Sequence, residues 1–300
     1  MNLCQIANMS RTQPSLEHLE AQRSSVVEAQ GLSTLKHSAM KHNRGMAPIS
    51  SSSSHTHQPS APTIPDALSA LAERGSSPSP LLIDHSAGPR IELSGRVLVN
   101  WWAKNCGLLE MEFGLGPGDT VCLDVPPHWR TLPLALAALS LGATVTDRAK
   151  DADLVITNRP SEHMSAPEVL AVTLEALAVS FPGDLPEGLV DHAAEVRAQP
   201  DALIFSAANA AQSSWDVDGV DSASLEHLLA AEAADGADAS VSWLAVGGAN
   251  AERGWSAAVA SLLACQPEGS LVLVAPDVLV DGAPADNLRA QERITRAATA

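Results

Sequence analysis

Apolar side chains recur at helical spacing in several parts of the chain. The longest such stretch begins after Ser94, a good helix N-cap, and continues to the turn at residues 116–119. Its buried stripe follows the i, i+3, i+4, i+7 spacing and consists of Leu98, Trp101, Trp102, Asn105, Leu108 and Leu109. At this spacing we interpret the two tryptophans as core residues rather than as a stacking platform for a base or a sugar.

A strand, a helix and a second strand follow this first helix, with only short connections between them. The Gly-Pro-Gly-Asp turn at 116–119 leads into a mostly apolar strand at 120–125, and the prolines at 126–127 are expected to begin the next helix. That helix ends at Gly142, and the chain returns as a strand at 143–146. The buried face of the helix is formed by Leu132, Leu136 and Leu139. Because parallel strands need a crossover of this kind, the unit predicts a parallel βαβ arrangement.

Similar elements are predicted on either side of this unit. Residues 64–74 have apolar positions at helical spacing, and a small hairpin is expected at 81–83 and 90–93. Residues 169–179 are apolar but match neither the helical nor the strand period. Further strands are expected at 154–157, 202–206, 243–246 and 270–274, and further helices at 222–234, 255–264 and 285–295. The sequence therefore predicts an α/β fold of mixed or parallel sheets flanked by helices.

The composition excludes some classes of protein but does not indicate a function. Apolar residues make up 45% of the chain, but with six Trp, three Phe and no Tyr, alanine and leucine must fill much of the core. The net charge of -17 argues against a nucleic-acid partner, since contacts to phosphates need clustered lysine and arginine. No run approaches the roughly 20 apolar residues of a membrane span. With no signal peptide evident, we expect a cytoplasmic protein that does not bind a membrane.

Residues 1–62 differ in composition from the rest of the chain. They contain five consecutive serines at 50–54, many histidines and glutamines, and scattered prolines. This composition predicts a disordered leader, and the native start could instead be Met40 or Met46. Residues 63–300 would then be the folded domain.

Several residue types associated with catalysis occur without a convincing arrangement. The segments 84–86 and 191–192 contain Asp and His, with Ser in the first, but adjacency in sequence says little about a catalytic triad and no GxSxG elbow is present. Asp216, Asp218 and Asp221 lack the glycine and distal glutamate of a calcium loop. We therefore expect no catalytic triad at the first two segments, and at the three aspartates a polar loop rather than a metal site.

Two further features are also expected to be structural. The glycine-rich segment 247–250, beside Arg253, could meet an anion at the start of the following helix, but it lacks the GxGxxG spacing. His55 and His57 are expected to belong to the polar leader rather than to a metal site. The cysteines have no CxxC spacing and are expected to be free, mostly buried thiols in a reducing compartment; they are Cys4, Cys106, Cys122 and Cys265.

The order of these segments resembles the N-terminal domain of the adenylate-forming superfamily, which includes acyl-CoA synthetases and peptide-synthetase adenylation domains. The resemblance begins near Pro80 and is clearest at the Gly-Pro-Gly-Asp turn of residues 116–119 and the strand after it. It continues at residues 136–143, 153–157, 270–274 and 291–295. Within the superfamily, the chain resembles a small actinobacterial family of uncharacterised proteins with a similarly shortened layout. These shared motifs imply a fold rather than an activity.

The resemblance implies a phosphate-binding loop directly after the predicted strand at 202–206. In the family this loop contains glycines, which let backbone amides approach the phosphates, and a lysine that offsets their charge. Here Ser206, Asn209 and Ser213 lie at the loop position, the segment has no glycine, and no lysine occurs after Lys150. We interpret these three residues as a degenerate phosphate-loop position that could contact ATP or AMP without turning it over.

The other catalytic parts that the resemblance implies would lie beyond Ala300. They are the acidic motif that positions Mg²⁺, the aspartate that holds the ribose, and the mobile C-terminal domain. We therefore assign no catalytic residue, no metal ligand and no required cofactor. The resulting hypothesis is a truncated, non-catalytic AMP-binding-like domain at 63–300 that binds a nucleotide, an acyl ligand or a partner protein.

Two alternatives stay open at this point. The first is an ATP-dependent acyl-activating ligase of the acid–thiol type, completed by a partner chain. The second is an interaction protein whose apolar surface is buried in a homo-oligomer.

Overall fold

Helices and strands alternate along the chain as the α/β prediction requires. The computed structural model describes residues 62–235, 241–245, 254–265, 268–274 and 283–297. The helices are α1 (Ile64–Glu73), α2 (Gly95–Phe113), α3 (Leu132–Leu141), α4 (His192–Glu195), α5 (Ala207–Ala210), α6 (Ser222–Asp235), α7 (Gly254–Ala264) and α8 (Ala283–Glu292). The strands are β1 (Pro80–His85), β2 (Ile91–Ser94), β3 (Thr120–Asp124), β4 (Thr144–Thr146), β5 (Leu154–Thr157), β6 (Glu168–Ala171), β7 (Val190–Asp191), β8 (Ser214–Val217), β9 (Val220–Asp221), β10 (Val241–Ala245), β11 (Ser270–Val274) and β12 (Arg296–Ala297).

These strands form two sheets. The first has the order β12-β10-β11-β1-β2 and is parallel apart from the antiparallel β1–β2 pair, which confirms the predicted hairpin. The second has the order β7-β6-β5-β3-β4-β8-β9 and is parallel apart from the β8–β9 pair. In the second sheet the chain leaves β3 towards β4 and leaves β5 towards β6, on the opposite side. The carboxyl ends of β3 and β5 therefore lie at a reversal of strand order.

A layer of helices lies between the two sheets. On the first sheet, α2 packs on β1 and β2, and α7 packs on β10 and β11, while α3 packs on β4 of the second sheet. All eleven residues of α7 and all but the last residue of α3 are buried. A helix with no face towards solvent needs no polar stripe, so both sequences are apolar all round. None of the described helices is long and apolar enough to cross a membrane.

The first long helix follows its sequence signals closely. Ser94 caps α2 by accepting a hydrogen bond from the backbone amide of Val97. Trp102 is fully buried and donates from Nε1 to Ser140 Oγ of α3 at 3.0 Å. Trp101 is half-buried and packs edge-on against Trp129, with ring centroids 5.3 Å apart. Both tryptophans are core residues, as the spacing predicted.

The start of α3 differs from the prediction. The prolines at 126–127 do not begin the helix, which starts at Leu132. Residues 126–131 form a turn because Thr131 Oγ1 donates to Pro126 O at 2.7 Å and the Trp129 amide donates to a carboxylate of β1 at 2.8 Å. A contact between the two sheets thus overrides the local preference for a helix.

One other boundary is corrected, and the stretch that matched no period is now described. The last helix ends at Glu292 rather than at residue 295, because Arg293 adopts a left-handed conformation with φ +53° and the chain then enters β12. The apolar stretch 169–179 contains the end of a strand, β6, and is irregular from residue 172 onward.

Both α2 and α3 end at a left-handed glycine, and the two sites differ in the space around them. At Gly114, with φ +65°, a Cβ would meet nothing within 4 Å. At Gly142, with φ +90°, a Cβ would lie 2.7 Å from the carbonyl oxygen of Asn209 in α5. The end of α3 is therefore in close backbone contact with α5.

We expect Gly114→Ala to cost about 1 kcal/mol through its backbone conformation alone. Gly142→Ala is expected to cost about 3 kcal/mol, because a backbone clash adds to the same conformational cost. Urea unfolding followed by tryptophan fluorescence measures both losses. Equal losses in the two variants would contradict a fixed contact between α3 and α5.

Candidate functional site

The segment at the phosphate-loop position is irregular backbone followed by one turn of helix. Residues 202–206 form no strand, which corrects the prediction. The position beside β4 is occupied by β8, which pairs with it from Thr144 and Ser214 onward. Ile204 is 89% exposed, so the apolar pattern of this stretch does not reflect burial. Ser206 then caps the single turn of α5.

The backbone amides of this segment are used within the chain itself. Six consecutive amides, from residue 209 to residue 214, donate to acceptors inside the protein. Their acceptors, in order, are Ser206 Oγ, Ser206 O, Ala207 O, Asn209 O, Ala210 O and Ala143 O. A phosphate cradle depends on successive amides that point outward and are free to donate. The amides of residues 209–214 are therefore not free to hold a triphosphate in this conformation.

The three predicted side chains lie in and beside this turn. Ser206 Oγ accepts from the amide of Asn209, and Ser213 Oγ donates to Ala210 O at 2.8 Å. Asn209 is half-buried where α5 meets Gly142. Both hydroxyls are thus engaged in holding the turn. Their assignment to a nucleotide site stays a prediction.

A polar cluster that the sequence did not reveal lies where β3 and β5 end. The Asp124 carboxylate accepts from Thr157 Oγ1 at 2.7 Å, from Arg159 Nη2 at 2.6 Å and from His163 Nε2 at 2.8 Å. Burial alone would raise the pKa of Asp124, but these hydrogen bonds and the arginine charge lower it overall. Ligands of open α/β sheets commonly bind at such a reversal of strand order. Here the carboxylate is already shared by three donors, which suits holding the 158–163 segment to the sheet.

The only sequence signal for this cluster was a polar residue closing each of two apolar strands. Asp124 and Thr157 are the last residues of β3 and β5. Recognising that they meet requires the strand order, which the sequence pattern alone does not give.

A second buried carboxylate joins the two sheets. Asp84, at the end of β1, is 2% exposed and accepts from the amide of Trp129 at 2.8 Å and from the amide of Ser86 at 2.7 Å. His128 Nε2 lies 3.6 Å from the same carboxylate, and His128 Nδ1 accepts from the amide of Arg130. Burial lowers the pKa of His128 to about 4, against the opposing effect of Asp84. This arrangement fixes the loop between β3 and α3 to the first sheet.

Neither Asp–His segment forms a catalytic triad. His85 bonds Glu292 at 2.9 Å, and the hydroxyl of Ser86 donates to the neighbouring aspartate instead. His192 bonds Asn105 Oδ1 at 2.8 Å inside the core. In the described chain these side chains therefore make structural contacts.

The three aspartates between residues 216 and 221 have separate structural partners. Asp216 pairs with Arg148, and Asp218 accepts from the amides of the second and third residues of α7, Trp255 and Ser256, at 2.7 and 3.1 Å. Asp221 accepts from the amide of Ser224 at 2.8 Å, near the start of α6. Across the described ranges, no group of three His, Cys, Asp or Glu side chains is arranged to hold a metal ion.

The cysteines in the described chain are free thiols, as expected. Cys106 and Cys122 are buried and Cys265 is partly buried. Burial raises the pKa of both Cys106 and Cys122 to about 12, so neither is a ready nucleophile. Cys4 lies outside the described residues.

Several predicted features also lie outside the described residues. They are the leader up to residue 61, with Met40, Met46, His55 and His57, the glycine-rich segment 247–250, and Arg253.

Comparison with known proteins supports the fold. No family model matches the chain. Over 134 residues it is 31% identical to a "TIGR03089 family protein" of Mycobacterium tuberculosis (strain ATCC 25618 / H37Rv), a match that covers 40% of this chain and 53% of that protein. The chain thus matches about half the length of this relative.

Solved structures give a wider match. The acyl-CoA synthetase of Brucella canis is 19% identical with a TM-score of 0.55, over 77% of this chain and 46% of that one. Amide bond synthetase McbA from Marinactinospora thermotolerans is 19% identical with a TM-score of 0.49, over 77% of this chain and 48% of that one. The first likeness establishes the fold: this chain has the α/β architecture of the N-terminal part of adenylate-forming enzymes, as its sequence predicted.

Because two histidines are buried in the neutral form, we expect the free energy of unfolding to fall as the pH decreases. An imidazole in the unfolded chain gains its proton near pH 6.5. In the folded protein, burial and the charge of Arg130 lower the pKa of His192 to about 3. Below pH 6.5 the unfolded state therefore binds more protons, and the free energy of unfolding drops as the pH falls towards 3.

We expect His192→Gln to reduce this slope by about 1 kcal/mol per pH unit between pH 6 and pH 4. His227→Gln, at an exposed histidine of α6, is the control and should follow the wild-type slope. Urea unfolding at the two pH values measures the difference. A His192→Gln slope equal to that of the wild type would contradict the assignment of a buried neutral imidazole.

Proposed function

We propose that this chain is a non-catalytic adenylate-forming-like domain that binds a small apolar or nucleotide ligand or a partner protein. The observation that carries the proposal is the closed turn at residues 206–214. Its six internally bonded amides support the view that the ATP phosphates have no cradle here. The absence of any lysine after Lys150 removes the usual counter-charge as well.

The same observation weighs against the alternative of a ligase completed by a partner chain. In such an enzyme the phosphate loop would still lie in this chain, after residue 206. A partner could supply later residues but could not release amides that already form α5 and its C-terminal turn. The hypothesis of a non-catalytic domain therefore requires fewer rearrangements of this segment.

An apolar groove of about 640 Å³ offers a place for a ligand. It lies between α1, α6 and the end of α7, and its walls include Ala67, Leu71, Leu229 and Leu263. Asp66, Glu73 and Arg74 also line it. Apolar walls with a few polar groups suit an acyl chain better than a nucleotide.

The first prediction concerns turnover. The purified chain is expected to catalyse no exchange of labelled pyrophosphate into ATP with a panel of carboxylic acids, because the triphosphate has no amide or lysine partners. An authentic acyl-CoA synthetase is the positive control for the assay. Exchange above the no-enzyme rate would overturn the non-catalytic proposal.

The second prediction concerns the groove. Dodecanoate is expected to raise the melting temperature of the wild-type chain. Ala70→Trp, at an exposed α1 position that lines the groove, is expected to abolish the rise by filling the space. Ser69→Trp, at the next exposed position, is the matched control and should retain it.

A rise that survives in Ala70→Trp would place the ligand elsewhere. If none of dodecanoate, ATP, AMP and CoA changes the melting temperature of the wild type, protein binding would be the supported role.

A further inference from the structure

Arg130 is a buried cation without a carboxylate partner in the described part of the chain. It is 2% exposed, and no Asp or Glu oxygen of the described residues lies within 4 Å of its guanidinium. Its Nη2 donates to two backbone carbonyls, Glu175 O at 3.3 Å and Ala178 O at 2.8 Å, and its Nε is buried with no partner. Burying an uncompensated charge is costly. An anion at this position would therefore stabilise the guanidinium.

A second arginine reaches the same piece of backbone. Arg197 is exposed and donates from Nη2 to Val179 O at 2.9 Å, and it too has no carboxylate within 4 Å among the described residues. Its charge, after burial, is the larger influence that lowers the pKa of Arg130, and Asp191 opposes it. Two like charges thus converge on one loop in a protein whose net charge is -17.

Two acidic side chains close in sequence to Arg197 have other partners. Asp191 accepts from the amides of Phe181, Ala193 and Ala194. Asp201 pairs with Lys104 at 2.5 Å. Neither is within ion-pair distance of the two arginines.

Unpartnered polar atoms continue from Arg130 into the core. The guanidinium carbon lies 4.3 Å from the centre of the Trp129 ring, and the buried indole Nε1 has no hydrogen-bond partner among the described residues. Within the same part of the chain, Nδ1 of His192 and Nδ2 of its partner Asn105 are also buried without a hydrogen-bond partner. Buried polar atoms without partners are rare in folded proteins, and their concentration here indicates a polar site.

The loop that covers Arg130 is itself strained. We call residues 174–181 the cover segment. Leu177 within it has φ +62°, a backbone conformation that residues other than Gly, Asn and Asp rarely adopt. Its side chain is 76% exposed. A change of conformation in the cover segment would relieve this strain.

We propose that Arg130 and Arg197 form a binding site for a small oxyanion, whose oxygens replace the carbonyls of the cover segment. The Nε and Nη2 edge of a guanidinium binds two oxygens side by side, in carboxylates and phosphates alike. The exposed Arg197 is the first contact, and Arg130 becomes available as the cover segment moves. This site is separate from the closed turn at 206–214, so it stands whether or not the domain is catalytic.

The test is isothermal titration of the full chain with inorganic phosphate and, separately, with acetate, at constant ionic strength set by chloride. We expect at least one of the two oxyanions to bind. The one that binds more tightly shows whether the site prefers a phosphate or a carboxylate. Arg130→Gln is expected to weaken it at least tenfold and Arg197→Gln several-fold. Lys150→Gln, which removes an exposed charge elsewhere, is the matched control and should change affinity less than twofold.

Leu177→Asn tests the cover segment without touching either arginine. Asparagine tolerates the left-handed conformation, so it stabilises the covered state, and affinity is expected to fall about fivefold. This exposed substitution and Arg197→Gln keep the test decisive if Arg130→Gln fails to fold. No binding of either oxyanion, an equal loss in Lys150→Gln, or unchanged affinity in both Arg197→Gln and Leu177→Asn would overturn the proposal.

Discussion

The burial of α3 and α7 between two sheets is the constraint on which the other features of this fold depend. Trp215 of the second sheet donates to Ser256 in α7, and Trp255 of α7 donates to Val125 O just after β3. These contacts tie the helix layer to the second sheet, while α7 also packs on β10 and β11. Because the layer has no solvent face, a shift of either helix would open a cavity in the core, at a cost of several kcal/mol.

The fixed end of α3 in turn determines the conformation at the phosphate-loop position. Gly142 brings the backbone of α3 against Asn209, and Ala143 O accepts the amide of Ser214. Residues 206–214 are therefore held from both ends in a closed turn. The amides of residues 209–214 are bonded within the chain in this conformation.

Sequence reasoning succeeded where the signals were local. Ser94 as an N-cap, Gly142 as a helix end and the apolar stripe of α2 follow from propensity and periodicity alone. It failed where a distant partner decides the outcome. The helix expected from the prolines at 126–127 is displaced by the Trp129–Asp84 contact, 45 residues apart in sequence. The strand expected at 202–206 is absent because β8 takes the place beside β4.

The candidate site also combines residues that local sequence signals indicate with residues that only distant contacts bring together. The assignment of Ser206, Asn209 and Ser213 to a degenerate phosphate loop depends on order along the sequence, and it stays a prediction. The Asp124 cluster and the buried Arg130 were not predicted, since both depend on which strands and loops become neighbours. A buried arginine is indistinguishable in sequence from an exposed one.

Hydrogen exchange of the amides of residues 209–214, with and without Mg-ATP, tests the central claim most directly. We predict slow exchange in the free protein, comparable to that of the neighbouring helix ends, and no change when Mg-ATP is added. Fast exchange in the free protein that Mg-ATP slows would show an open loop that closes on the nucleotide, and would contradict the account.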